Sequence, residues 1–199
     1  MNSYLNIAAG KLLPIDIDLK KDFLIQLDQM YFDSIEIDTC ERIHNSWLEE
    51  ENGRVVKCAV DVFDFLANYY YQFDFISCYR FLEHVKKSDI QGFIYLLSTA
   101  IKVGGIVDII VPNFKTLASL LLEETISEKI RHQDWERHDT LLTYELLNEP
   151  TMPHASIWTV DRIIYFFELE ERFVVESIDP SYEFDGRNIY IRAKIKRVK

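Results

Sequence analysis

A chain of 199 residues, 48% hydrophobic and 14% aromatic, has room for one α/β domain with a full core and too little for two ordinary domains with a linker. Thirty-three Asp and Glu against 22 Lys and Arg leave a net charge of −11, whose mean field repels phosphate backbones and anionic lipid, so nucleic acid is a disfavoured partner. Cys40, Cys58 and Cys78 include no CxxC pair, which argues against a disulfide framework or zinc knuckle and for a reducing, cytoplasmic setting; neither a signal peptide nor a membrane span is expected.

Tyr4 to Ala8 is an apolar run ended by small residues and Gly10, as a buried parallel strand and tight turn would be. Two readings fit the next stretch. In the preferred one, Phe23 to Leu27 is a buried strand ending at Asp28. In the other, Leu19, Phe23, Leu27 and Met30 share a helix face and the strand moves to Phe32 to Asp38. Thr39 to Glu51 reads as a helix stopped by Asn52-Gly53, and Val55 to Val60 as a strand ending at Asp61.

Phe73 to Tyr79 is a further buried strand, and Ser88-x-x-Gln91 has the form of a capping box opening a helix to about Lys102. Gly104-Gly105 then turns the chain into a strand over Ile106 to Val111, closed by Pro112 and Asn113. Residues 114 to about 150 carry two Leu- and Glu-rich helical patterns, more than a plain crossover needs, and read as an inserted helical cap. Thr159 can cap a helix through Glu171, and Arg172 to Ser177 and Arg187 to Ile195 read as antiparallel strands around Asp185-Gly186. The basic run Arg192, Lys194, Lys196, Arg197 and Lys199 reads as a solvated tail, with an anion-binding patch as the alternative. Repeated β then α with a closing hairpin predicts a single α/β domain: a mostly parallel sheet with an antiparallel last strand.

In such a sheet ligands sit beyond the carboxyl ends of the strands, where strand order reverses. The segments reaching that edge are the turn Ala8-Ala9-Gly10, the acid at Asp28 or Asp38, the acid at Asp61, and Tyr79 to His84. An acid about twenty residues beyond the turn can accept two ribose hydroxyls, and Asp28 lies eighteen positions after Gly10. Glu83 and His84 lie between a strand and a helix, where His84 is suited to proton transfer near neutral pH or simply to bonding a loop. The five histidines are scattered along the chain, and no Ser-His-Asp order, metal cluster or Walker loop emerges, which disfavours hydrolase and kinase chemistry.

Leu5-Asn6-Ile7-Ala8-Ala9-Gly10, Phe73 to Ile76 followed by Phe81-Leu82-Glu83-His84-Val85, Gly104-Gly105-Ile106 through Asn113, and His154 to Thr159 together resemble the class I S-adenosylmethionine-dependent methyltransferases over nearly the whole chain. Tyr79 to Val85 is also similar to methyltransferase-like proteins of large tailed phages, which would place the chain in a host cytoplasm or a virion. The resemblance implies a three-layer Rossmann-like fold with a seven-stranded sheet and S-adenosylmethionine as cofactor. It implies cofactor contacts from Asn6, Ala8, Ala9, Gly10, Asp28 or Asp38, Asp61, Val62 and Tyr79, and a base at His84 or Glu83 for a small-molecule or protein acceptor.

The family's loop usually carries two or three glycines, whereas Ala8 and Ala9 stand here and only Gly10 remains, which restricts close approach of a ligand. Three alternatives therefore stay open. Asp61 can be a ligand to adenine or a cap on the following turn. The whole chain can be a non-catalytic scaffold of the same fold with a protein assembly partner. A nicotinamide-dependent oxidoreductase ranks behind both, because the terminal hairpin argues against that class and the single Gly10 with Leu12-Leu13-Pro14 serves a pyrophosphate badly.

Overall fold

A computed structural model of the chain describes residues 2–7, 17–28, 54–69, 72–119, 154–184 and 186–199, with Thr39 and Arg42. Five short runs rich in branched and aromatic side chains form the parallel part of the sheet: β1 (Ser3–Ile7), β2 (Phe23–Leu27), β3 (Arg54–Cys58), β4 (Phe73–Tyr79) and β5 (Ile101–Pro112). Every residue of β1 and β2 is buried, as central strands covered on both faces require. This decides between the two readings of that stretch. Phe23 to Leu27 has no solvated face to give a helix, and Asp28 follows the strand.

The strands order as β3-β2-β1-β4-β5-β7-β6, where β6 is Phe173–Phe184 and β7 is Arg187–Arg197. Strand β7 inserts between β5 and β6 and runs antiparallel to both, so six strands point one way and the last points the other. Gly186, with φ at 73°, supplies the left-handed residue of the closing hairpin. Because β7 is paired on both sides, Arg192, Lys194, Lys196 and Arg197 belong to an interior strand, which corrects the expectation of a solvated tail for them, while Lys199 follows the strand and is exposed.

Between β3 and β4 lies helix α1 (Val62–Asn68); α2 (Ile90–Ala100) leads into β5, and α3 (Val160–Leu169) leads toward β6. α1 packs on α2 and α2 on α3, with Phe65, Phe93, Leu97, Ile163 and Phe167 fully buried over the sheet. Phe65, Tyr69 and Phe73 stack in sequence, at centroid separations of 4.6 Å and 5.4 Å, and tie the end of α1 to the start of β4.

Thr159 caps α3 through its hydroxyl as expected, though the helix ends at Leu169. The capping box does not form. The helix begins one residue later, after Asp89, so Gln91 is its second residue rather than its third, and the Ser88 hydroxyl donates to the Asp89 carboxylate at 2.8 Å. Strand β5 starts earlier than the glycine pair suggested and carries an irregularity there. Phe73 pairs with Ile101 and Phe75 with Ile106, while Gly104 takes φ at 85°. At Gly105 a Cβ would lie 2.9 Å from the Asp74 carbonyl oxygen, so the close passage of two backbones requires glycine.

Thr39 and Arg42 are helical, and so are residues 114–119. The remainder of the expected 39–51 helix, the alternative strand with Asp38, the turn Ala8-Ala9-Gly10 and the rest of the expected cap lie outside the described residues. No helix among the described residues is long and apolar enough to cross a membrane.

Candidate functional site

Register sets the site's frame. Ile7, the last residue of β1, pairs with Leu27 on β2 and with Cys78 on β4, so these strands end on one level. From β1 the chain goes to β2 and β3 on one side, then returns to β4 and β5 on the other. The reversal lies between β1 and β4, where loops leave in opposite directions and open a crevice. Asp28 follows β2 on one flank of it. Its backbone N–H donates to the Cys58 carbonyl at 3.0 Å, which fixes the residue beside the strand ends, and it is only 8% exposed.

On the other flank β4 ends in an unusual backbone. Arg80 has φ at 56°, the left-handed region, which costs a non-glycine residue about 1–2 kcal/mol. Its N–H still donates to Ile110 on β5, at 2.7 Å, so the reversal happens while the strand end is held. The chain then enters a single 3-10 turn, Leu82–His84, closed by the His84 N–H on the Phe81 carbonyl and the Val85 N–H on that of Leu82. Glu83 is thereby turned inward, at 1% exposure, with Arg80 Nε 3.9 Å from its Oε1 and the Arg80 guanidinium 5.9 Å from the Tyr190 ring centre.

The segment before α3 closes over this turn. The Glu83 carbonyl accepts from the amides of Ala155 and Ser156, at 2.7 Å and 3.0 Å. The Ser156 hydroxyl donates to the Leu82 carbonyl and accepts from Trp158 Nε1, both at 3.0 Å. This clamp brings the His154 ring to 5.0 Å from that of His84, edge to face. One ligand atom from each of Glu83, His84 and His154 falls within 4.8 Å of the others. The histidines that are scattered along the sequence are thus partly brought together in the fold. His84 and His154 are far apart in the chain, and tertiary contacts without local signal, the two amides on the Glu83 carbonyl and the Ser156 hydroxyl on that of Leu82, join their segments.

Other predicted residues are engaged in the scaffold. Asn6 Oδ1 accepts from the Ser77 hydroxyl at 2.7 Å, across the β1–β4 pair. Asp61 is the N-cap of α1, its Oδ1 accepting from the amides of Phe63 and Asp64, and Val62 is buried in the core. Tyr79 donates its hydroxyl to Asp108 Oδ2 at 3.0 Å, while Arg192 holds the same carboxylate through two bonds, Nε to Oδ1 at 3.0 Å and Nη2 to Oδ2 at 2.7 Å. That bidentate pair holds the Arg192 guanidinium well above its ordinary value against its partial burial. Burial, with the Asp108 charge nearby, pushes the Cys78 thiol far up, so Cys78 is a core residue and not a nucleophile.

No protein-family model matches the chain, and no curated protein matches it in sequence. Solved structures do match it in fold. A SAM-dependent methyltransferase from Methanosarcina mazei superposes with a TM-score of 0.59 at 14% identity, covering 99% of this chain and 92% of that one. The N-methyltransferase NodS from Bradyrhizobium japonicum WM9 gives 0.54 at 12% identity over 99% and 86% of the two chains, and its complex with S-adenosyl-L-homocysteine gives 0.53 over 99% and 78%. The chain therefore has the Rossmann-like α/β fold seen in those methyltransferases, with a seven-stranded sheet and an antiparallel last strand.

Proposed function

We propose that the chain is an S-adenosylmethionine-dependent methyltransferase. The observation that carries this reading is the place of Asp28, a nearly buried carboxylate at the end of β2, beside the reversal between β1 and β4 of a sheet ordered like those of the methyltransferases above. Bound there, S-adenosylmethionine supplies a methyl group already activated on a sulfonium, so alignment and exclusion of water are what the protein must add.

Asp28 accepts from the ribose hydroxyls. Asp38 is the alternative acid for that role. Asp61, whose Oδ1 serves the α1 cap, has a second oxygen to take the adenine amino group, with Val62 beneath. Asn6 ties β1 to β4 through Ser77, and Tyr79 ties β4 to β5 through Asp108, which steadies the strand ends that the cofactor meets. Glu83 and His84, joined by His154, form the acceptor-activating end, where the half-buried His84 imidazole takes the acceptor's proton and the buried Glu83 orients it. The acceptor is a small molecule or a protein.

A ligand that binds only the folded state stabilises it by mass action. Millimolar S-adenosylhomocysteine should therefore raise the melting temperature by several degrees. An unchanged melting temperature would favour a scaffold of this fold that does no chemistry.

A further inference from the structure

We infer that Glu83, His84 and His154 form a binding site for a first-row divalent transition-metal ion. The three ligand atoms, two imidazole nitrogens and one carboxylate oxygen, already lie within 4.8 Å of one another, a spread that a single ion at about 2.0–2.2 Å from each can bridge with small side-chain rotations. Zinc, iron(II), cobalt and nickel accept this mixed donor set, whereas magnesium and calcium are served by oxygen donors. Three protein ligands also leave positions open for an incoming oxygen.

The surroundings suit the ion. Glu83 and His84 are neighbours on one hydrogen-bonded turn, and the segment carrying His154 is fixed to that turn by two amides on the Glu83 carbonyl. Two of the three ligands are thus held by backbone geometry before any metal arrives. Glu83 is buried, while His84 and His154 are half-buried, which gives a dry carboxylate with an entry path on the imidazole side. The net charge of −11 adds long-range attraction for a cation. The Arg80 guanidinium, with Nε 3.9 Å from Glu83 Oε1, is a charge that competes with the ion for Glu83. The inference deepens the methyltransferase reading and rests on it only for the ion's use: a metal here would hold an acceptor oxygen and ease loss of its proton to solvent, replacing His84 as base because the ion takes the imidazole's lone pair.

The test is a cobalt(II) titration of the full, tag-free chain, followed by calorimetry and visible absorption. The site predicts one equivalent bound, d–d bands without a thiolate charge-transfer band, and no competition from magnesium. His84→Ala and His154→Ala should each weaken cobalt at least about tenfold with the thermal unfolding transition retained. Glu83→Gln should do the same, and the two histidine variants decide if that buried substitution fails to fold. No stoichiometric binding, a thiolate band, or affinity unchanged in both histidine variants would overturn the site. S-adenosylhomocysteine affinity measured on the same samples separates the two claims. Cobalt bound without it supports the metal site and removes the methyltransferase reading, while the reverse result removes the metal site alone.

Discussion

Asp61 shows how one side chain can be read two ways. Its Oδ1 accepts from the amides of Phe63 at 2.9 Å and Asp64 at 3.1 Å, so Asp61→Ala should lower stability by about 1 kcal/mol in urea unfolding, the usual worth of such a cap. Asp61→Ser keeps a capping oxygen and should recover that stability without recovering affinity for S-adenosylhomocysteine; full recovery of both would leave Asp61 with the cap alone. Asp108, fully buried, behaves differently. Removing it takes from Arg192 and Tyr79 the carboxylate that they share, leaving the part-buried guanidinium its contacts with Tyr182, and Asp108→Ala should cost about 3 kcal/mol. Replacing both charges, Asp108→Leu with Arg192→Met, should unfold at higher urea than the single variant, because no uncompensated charge remains. The sequence places Tyr79 at a strand end beside the crevice but carries no sign that Asp108 and Arg192 meet there from two other strands. His154 went without a role for the same reason: its neighbours His84 and Glu83 are tertiary.

Elements buried on both faces were the legible ones. β1, β2 and β4 are near-continuous apolar runs because each lies between strands and under helices, and their sequence bounds match the structure within a residue. Strand β3, at the sheet's edge, alternates in burial, and its end at Cys58 rather than Val60 was less visible. The start of α2 slipped by one because Ser88 and Asp89 are both good caps and local sequence does not rank them. One prediction belongs to this scale. Asp74 joins the starts of β1 and β4: its carboxylate accepts from the Ser3 amide and hydroxyl, at 2.8 Å and 3.0 Å, and pairs with Lys102 at 2.9 Å. Burial alone would raise its pKa, but the Lys102 bond, the Ser3 bonds and the Lys102 charge together hold it below the usual carboxylate range. A carboxylate depressed in the folded state contributes stability above its unfolded pKa and loses it as pH falls through the folded one. The gap in urea midpoint between the wild type and Asp74→Asn should therefore be widest near neutral pH and should close as pH falls through and below the ordinary carboxylate range. A gap that stays constant would assign Asp74 a packing role only.

Across the whole molecule, the alternation of strand and helix and the closing hairpin announced the sheet, and the reversed β7 between β5 and β6 completed it. That β7 lies inside the sheet also explains its charge. Arg192 pairs with Asp108, Lys196 lies 3.8 Å from Glu176 and Lys199 lies 3.8 Å from Glu171, so the basic run balances acids of its own fold. One fold serves many chemistries, so the acceptor is set by particular side chains around the crevice rather than by the sheet. The cofactor is the claim on which the rest depends, and Asp28 is its most specific residue. Calorimetric titration of S-adenosylhomocysteine into the wild type and Asp28→Asn tests both at once. One site should fill in the wild type, and the amide, which keeps the size but loses the charge, should weaken it about tenfold to a hundredfold, or about 1.5–3 kcal/mol. No heat of binding to the wild type at millimolar ligand, or equal affinity in the two proteins, would contradict a nucleoside held at the end of β2.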